Sequence, residues 1–162
     1  MISNINKIQI ICIFQRNKIH LSKQISTKII TLNEGSHTKL IGYKYNCITK
    51  LKILQKSQKK MRYVWLDNSL YTSITFARSI WYIINYRELN INITNNYPIG
   101  LSFAKNKIDI HRNIYEMYYC YSQELEQIFK FHKGIWGRKY IIYNFNNYST
   151  VIQEFFSPNI KL

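Results

Sequence analysis

The sequence predicts an α+β fold built on a mainly antiparallel β-sheet, and three observations carry that expectation. Strand-like stretches pair across short polar turns: "RYVWL" with "SITFARSIWYII" across "DNSL", and "KYIIYNF" with "STVIQEFF" across "NNY". The few helical stretches lie between hairpins instead of following every strand, which argues against βαβ units. With 46% hydrophobic and 15% aromatic residues, the 162-residue chain can bury a real core and is not disordered in bulk. No repeat and no Gly- or Pro-rich linker divides it, so one domain over residues 1–162 is expected.

The elements follow in chain order. "IQIICIF" (Ile8 to Phe14) is too short for a membrane span and lacks the cleavage site of a signal peptide. Leu21, Ile25, Ile29 and Leu32 recur at helical spacing, so "HLSKQISTKIITL" predicts an amphipathic helix. Gly35 suits the position just past its end, Ser36 can cap a short second helix through "HTKLI", and Gly42 is expected to stop that helix. Tyr43, Tyr45, Cys47, Thr49, Leu51 and Ile53 then alternate with their neighbours, the cleanest strand signal in the chain. After the first hairpin and the polar loop "NINITNNY", Pro98 opens a helical turn in "PIGLSFAK". "KIDIHRNIYEMYY" reads as a strand. "SQELEQIFKFHK" reads as a helix opened by Ser122, with Glu124 and Glu126 against its positive end. "GIWGR" reads as a Gly-flanked turn before the final hairpin.

Charge and motifs narrow the function. The net charge of +15 suits a polyanion or a small acidic substrate. A bland cause competes, because Ile, Asn, Lys and Tyr have AT-rich codons and accumulate in any gene under AT pressure. Phosphate binding needs a clustered basic stripe, whereas the lysines are scattered apart from "KSQKK", so nucleic acid is the weaker partner. Cys12, Cys47 and Cys120 are odd in number and widely spaced, which fits a reducing compartment without a disulfide framework. His20, His37, His111 and His132 stand at no metal-ligand spacing, so no metal is expected. No apolar run is long enough to span a membrane, and GxSxG, P-loop, GxGxxG and HExxH motifs are absent.

Three charges stand in strands that otherwise carry apolar side chains. Arg62 alternates onto the face of Val64 and Leu66, Arg78 onto that of Phe76 and Ile80, and Glu154 onto that of Ile152 and Phe156. An unpaired buried charge costs several kcal/mol, so each needs a partner or water. A structural ion pair is one solution. A pocket is the other: two guanidinium forks would hold carboxylates, and a glutamate with a burial-raised pKa would meet a hydroxyl or carry a proton.

The order of motifs adds a resemblance. "LNEGSHTKL", "RYVWL" followed by "FARS", "YPIG" followed by "HRNIYEM", and "GIWGRKY" through "EFFSP" occur in the order found in the chorismate lyase family, in particular its plastid-encoded branch. The chain resembles that family from about Ile30 to Pro158, and Met1 to Phe14 matches it poorly. The resemblance implies one antiparallel sheet with a ligand enclosed beneath flap-like helical segments. It also implies cleavage of chorismate to 4-hydroxybenzoate and pyruvate without cofactor or metal, by a monomer of the plastid stroma that supplies quinone synthesis. By the same resemblance, Arg62 grips the ring carboxylate, Glu154 meets the phenol oxygen, and Arg78 anchors the enolpyruvyl carboxylate. His37 and Ile99 contribute backbone groups, and Trp136 and Arg138 hold the final hairpin. Two further readings stay open: a fold relative that binds an aromatic acid without turning it over, and a basic module that binds nucleic acid.

Overall fold

In a computed structural model, residues 8–14, 33, 35–46, 50–56, 61–67, 73–83, 97–132, 134–144 and 148–160 are described. They form β1 (Gln9–Phe14), α1 (His37–Tyr45), β2 (Lys50–Lys56), β3 (Met61–Asp67) and β4 (Ser73–Ile83), then α2 (Ile99–Lys105), β5 (His111–Tyr121), α3 (Gln123–Phe129), β6 (Ile135–Asn144) and β7 (Tyr148–Phe156). All seven strands join one sheet in the order β1-β5-β6-β7-β4-β3-β2, and every neighbouring pair is antiparallel. The α+β expectation holds. The expected helix "HLSKQISTKIITL", Cys47, and the turns "DNSL" beyond Asp67 and "NNY" before Tyr148 lie outside the described residues.

Two faces of the sheet are covered differently. On one face, α1 lays Ile41 on Leu66 and Phe156, while α2 lays Phe103 on Ile114, Met117, Ile142 and Ile152. On the other face, Leu125 and Phe129 of α3 close over Trp65, Phe76, Tyr118 and Phe155. Ser122 caps α3 as expected, its hydroxyl accepting from the Leu125 N–H, and Lys130 ends it in the left-handed region with φ 53°. The edge strand β1, for which the sequence offered no family match, pairs with β5 and leaves Ile10, Ile11 and Ile13 exposed.

Two expectations are corrected. The alternation from Tyr43 onward is not a strand at its start, because α1 continues through Gly42 to Tyr45. His37, Ile41 and Tyr45 make a buried or half-buried stripe at spacing four, whereas Tyr43 is 91% exposed, so the helical period wins over the period of two. Asn46 stops the helix instead of Gly42, turning left-handed at φ 45° with its N–H on the Gly42 and Tyr43 carbonyls. "GIWGR" is no turn either. Gly134 precedes β6 and Gly137 lies inside it.

The two glycines serve close approach. A Cβ on Gly137 would stand 2.1 Å from the Tyr118 ring and 2.6 Å from the Glu154 carbonyl oxygen. The bare backbone lets Tyr118, directly opposite on β5, lie across β6 and donate from its hydroxyl to the Arg138 carbonyl at 2.9 Å. Gly134 makes the same allowance for the Tyr119 ring, 2.0 Å from the position of its missing Cβ. Gly137→Ala is therefore expected to destabilise by about 1–3 kcal/mol through overpacking. Gly100→Ala, with nothing within 4 Å of its Cβ in α2, should be neutral or stabilise by up to about 1 kcal/mol. Urea denaturation of the two variants checks the contrast.

Candidate active site

Register decides which side chains share a face. Residues directly opposite in antiparallel strands point the same way, as do residues two apart along one strand. Three cross-strand rows result. The first is Leu66, Thr75, Phe156 and Trp136; the second is Val64, Ala77, Glu154, Arg138 and Met117; the third is Arg62, Ser79, Ile152, Tyr140 and Ile114. Arg62 and Glu154 thus face the same side, two strand spacings of about 4.8 Å apart and one row displaced. That is the side covered by α1 and α2.

Glu154 is held by two groups from β6. Arg138 Nε donates to its Oε2 at 2.7 Å, and the Tyr140 hydroxyl donates to its Oε1 at 2.8 Å. Arg138 also donates from Nη1 to the Asn33 carbonyl, tying the segment before α1 to the sheet. All three side chains are buried. Burial by itself would raise the Glu154 carboxyl, but the Arg138 guanidinium, helped by His37 and the Tyr140 hydrogen bond, holds it below the ordinary carboxylate range. The raised pKa expected for Glu154 is overturned for that reason: it is an ionised acceptor, not an acid. Burial, reinforced by the Glu154 carboxylate, pushes the Tyr140 phenol well up and keeps it a donor.

Arg62 is a different kind of buried charge. Its Nη2 donates to the Tyr97 carbonyl at 2.7 Å, just before α2, which brings Arg62 beside the segment that carries Ile99. Its Nε and Nη1 are buried and have no hydrogen-bond partner among the described residues. Burial lowers its pKa. A guanidinium with idle N–H groups in a shielded place suits a carboxylate, which accepts charge-assisted hydrogen bonds from it.

His37 opens α1 and packs edge-on against the Phe156 ring, with ring centres 4.9 Å apart. Its Nε2 hydrogen-bonds the Thr75 hydroxyl at 2.8 Å. Burial lowers its pKa from 6.5 to about 4, with Glu154 opposing and Arg138 and Arg112 assisting, so the ring is neutral near pH 7.

Arg78 does not join this group. It stands in a polar row on the opposite face, between Tyr63 and Gln153, with Lys139 and Glu116 further along. Its Nε donates to Gln153 Oε1. The strand period forces this: Ala77 shares the row of Glu154, and the next residue must point away. The role expected for Arg78 as a second pocket arginine is corrected accordingly. Arg138, expected only to hold the hairpin, does bridge β6 to β7 and also fixes the charge of Glu154. Tyr140 and Thr75 were not singled out from the sequence. Tyr140 had a signal, standing two residues beyond Arg138 on a strand opposite Glu154.

A model of the family described as Chorismate pyruvate-lyase Rv2949c-like matches residues 14–162. The chain belongs to that family. Its relatives include the "Uncharacterized protein ycf21" of Antithamnion sp., 37% identical over 156 residues, covering 90% of this chain and 87% of the relative. The ycf21 protein of Porphyra purpurea is 30% identical over 147 residues, covering 83% and 82%. Both are algal plastid-genome proteins. Among the described residues no group of His, Cys, Asp and Glu converges as a metal site, and no helix is long and apolar enough to cross a membrane.

The neutral His37 has a measurable consequence. Its folded pKa lies below its ordinary value, so the unfolded chain binds more protons at intermediate pH. Its contribution is fully present above pH 6.5 and is lost as pH falls towards about 4, amounting to about 3 kcal/mol at most. Glu154, also depressed, acts with the same sign but lower, below the ordinary carboxylate value. Urea midpoints of the wild type should fall between pH 6.5 and 5, and those of His37→Gln should stay level there.

Proposed function

We propose that the chain is a chorismate lyase, splitting chorismate to 4-hydroxybenzoate and pyruvate. The observation that carries this reading is the idle, buried Arg62 fork facing the same side of the sheet as an ionised Glu154. A ring with a carboxylate at one end and a hydroxyl at the other matches that pairing. Arg62 takes the ring carboxylate with its idle N–H groups, the backbone at Ile99 closes over the ring from α2, and Glu154 accepts from the ring hydroxyl. Because a carboxylate has about four lone-pair sites, Glu154 can accept this bond while keeping those from Arg138 and Tyr140.

The reaction needs little else from the protein. The ring C–O bond to the enolpyruvyl group breaks, and its electron pair leaves with that oxygen. The hydrogen on the hydroxyl-bearing carbon is lost as a proton, which the enolpyruvyl methylene takes up, giving pyruvate and an aromatic ring. Aromatisation supplies the driving force. Holding the substrate in its reactive geometry and stabilising the departing oxygen supply the rate. No metal or organic cofactor enters this scheme. The algal ycf21 relatives support a plastid setting, where a stromal monomer would feed quinone synthesis.

Incubation with chorismate should release equal amounts of 4-hydroxybenzoate and pyruvate. Arg62→Ala should lower kcat/KM by about 30-fold or more, the usual result of truncating a buried charge that pairs with a ligand. Arg78→Ala, on the far face, should stay within a few-fold of wild type. Product formation no faster than spontaneous decay would overturn the proposal.

A further inference from the structure

The site holds a second idle group besides Arg62. His37 is 5% exposed, and its Nδ1 is buried without a hydrogen-bond partner among the described residues. Buried ring nitrogens are seldom left unmatched, and each exception asks for a cause. The position of this one is informative. Thr75, which holds Nε2, lies in the row on one side of Glu154, and Arg62 lies in the row on the other side. The order along the strands is Arg62, Glu154, Thr75, with the His37 ring bonded to Thr75. A chorismate anchored by its ring carboxylate at Arg62 and by its hydroxyl at Glu154 has one part left to place, the enolpyruvyl arm with the second carboxylate. Arg78 is on the wrong face to receive it.

We infer that the His37 side chain is the hydrogen-bond donor for the enolpyruvyl arm of the substrate, an inference that rests on the lyase reading above. The oxygens of that arm only accept, so they select one tautomer. The Thr75 hydroxyl donates to Nε2, and the proton sits on Nδ1, directed to the arm. The ring stays neutral and transfers no proton; it stabilises the negative charge that grows on the departing oxygen as the C–O bond breaks. The surroundings favour that charge. His37 is the first residue of the nine-residue helix α1, whose positive end lies there, and Arg138 and Arg112 are close enough to be felt electrostatically by the ring. The backbone contribution expected at this position therefore gains a side-chain one.

The product distinguishes this role from a structural one, because 4-hydroxybenzoate lacks the enolpyruvyl arm. His37→Ala should lose at least about 10-fold in kcat/KM for chorismate, while its Kd for 4-hydroxybenzoate, read by titration, stays within about threefold of wild type. Thr75→Val, which removes the group that sets the tautomer, should lose activity in the same sense and keep product binding. Retained product binding also shows that a variant is folded. An active wild type with an equally active His37→Ala overturns the inference and leaves the lyase reading intact. Equal losses for chorismate and 4-hydroxybenzoate overturn it too, since the imidazole would then serve the fold or the hydroxyl end. A wild type without turnover overturns both.

Discussion

The Glu154–Arg138 pair is the contact on which the rest of the site depends. Neither charge could be buried alone: isolated ions leave water only at a cost of several kcal/mol, and removing one partner of such a pair commonly destabilises by about 3–5 kcal/mol. Together they stand directly opposite on β7 and β6, so the sheet itself sets their separation. The pair does three things at once. It pins the final hairpin, it ties the segment before α1 to the sheet through Asn33, and it keeps Glu154 ionised where burial would neutralise it. Glu154 is for that reason structural as well as an ionised acceptor, and substitutions there are expected to disturb stability.

The glycines of "GIWGR" make that pair possible. Gly137 precedes Arg138 and faces the other way, and its missing side chain lets Tyr118 cross beneath to the Arg138 and Glu154 carbonyls. The backbone on either side of the ion pair is thus held from the opposite face of the sheet. One face carries the buried charges and the other supplies rigidity, with α3 sealing the aromatic cluster of Trp65, Phe76, Tyr118 and Phe155. Arg78 belongs to the second face, half-buried, with its Nε on Gln153 Oε1.

Much of the fold was legible in the sequence because hairpins are local. β3 with β4 and β6 with β7 each join strands close in the chain, so apolar alternation and intervening polar residues sufficed. The helix caps at Ser36 and Ser122 were legible for the same reason. The misreadings at Tyr43 and at "GIWGR" share a cause: local pattern cannot say whether a tyrosine will be buried, or whether a glycine makes a turn or admits a ring from another strand. In the site, the residue types were legible at Arg62 and Glu154, since charges among apolar neighbours demand partners. The identity of those partners was not. Tyr140 and Thr75 look ordinary until the register places them beside Glu154 and His37.

The sequence by itself determined the α+β class, the antiparallel hairpins, the absence of the common nucleotide, hydrolase and zinc motifs, and the need of Arg62, Arg78 and Glu154 for partners. These follow from composition, from the two-residue period of a strand and from the cost of a buried charge, all of which are local properties. Only the tertiary structure decided which charges meet. Alternation along one strand fixes relative sides within that strand but leaves the strands unrelated to one another. The pairing register of β3, β4, β7 and β6 joined the faces, set Arg62, Glu154 and Thr75, the partner of His37, on one side, and turned Arg78 to the other.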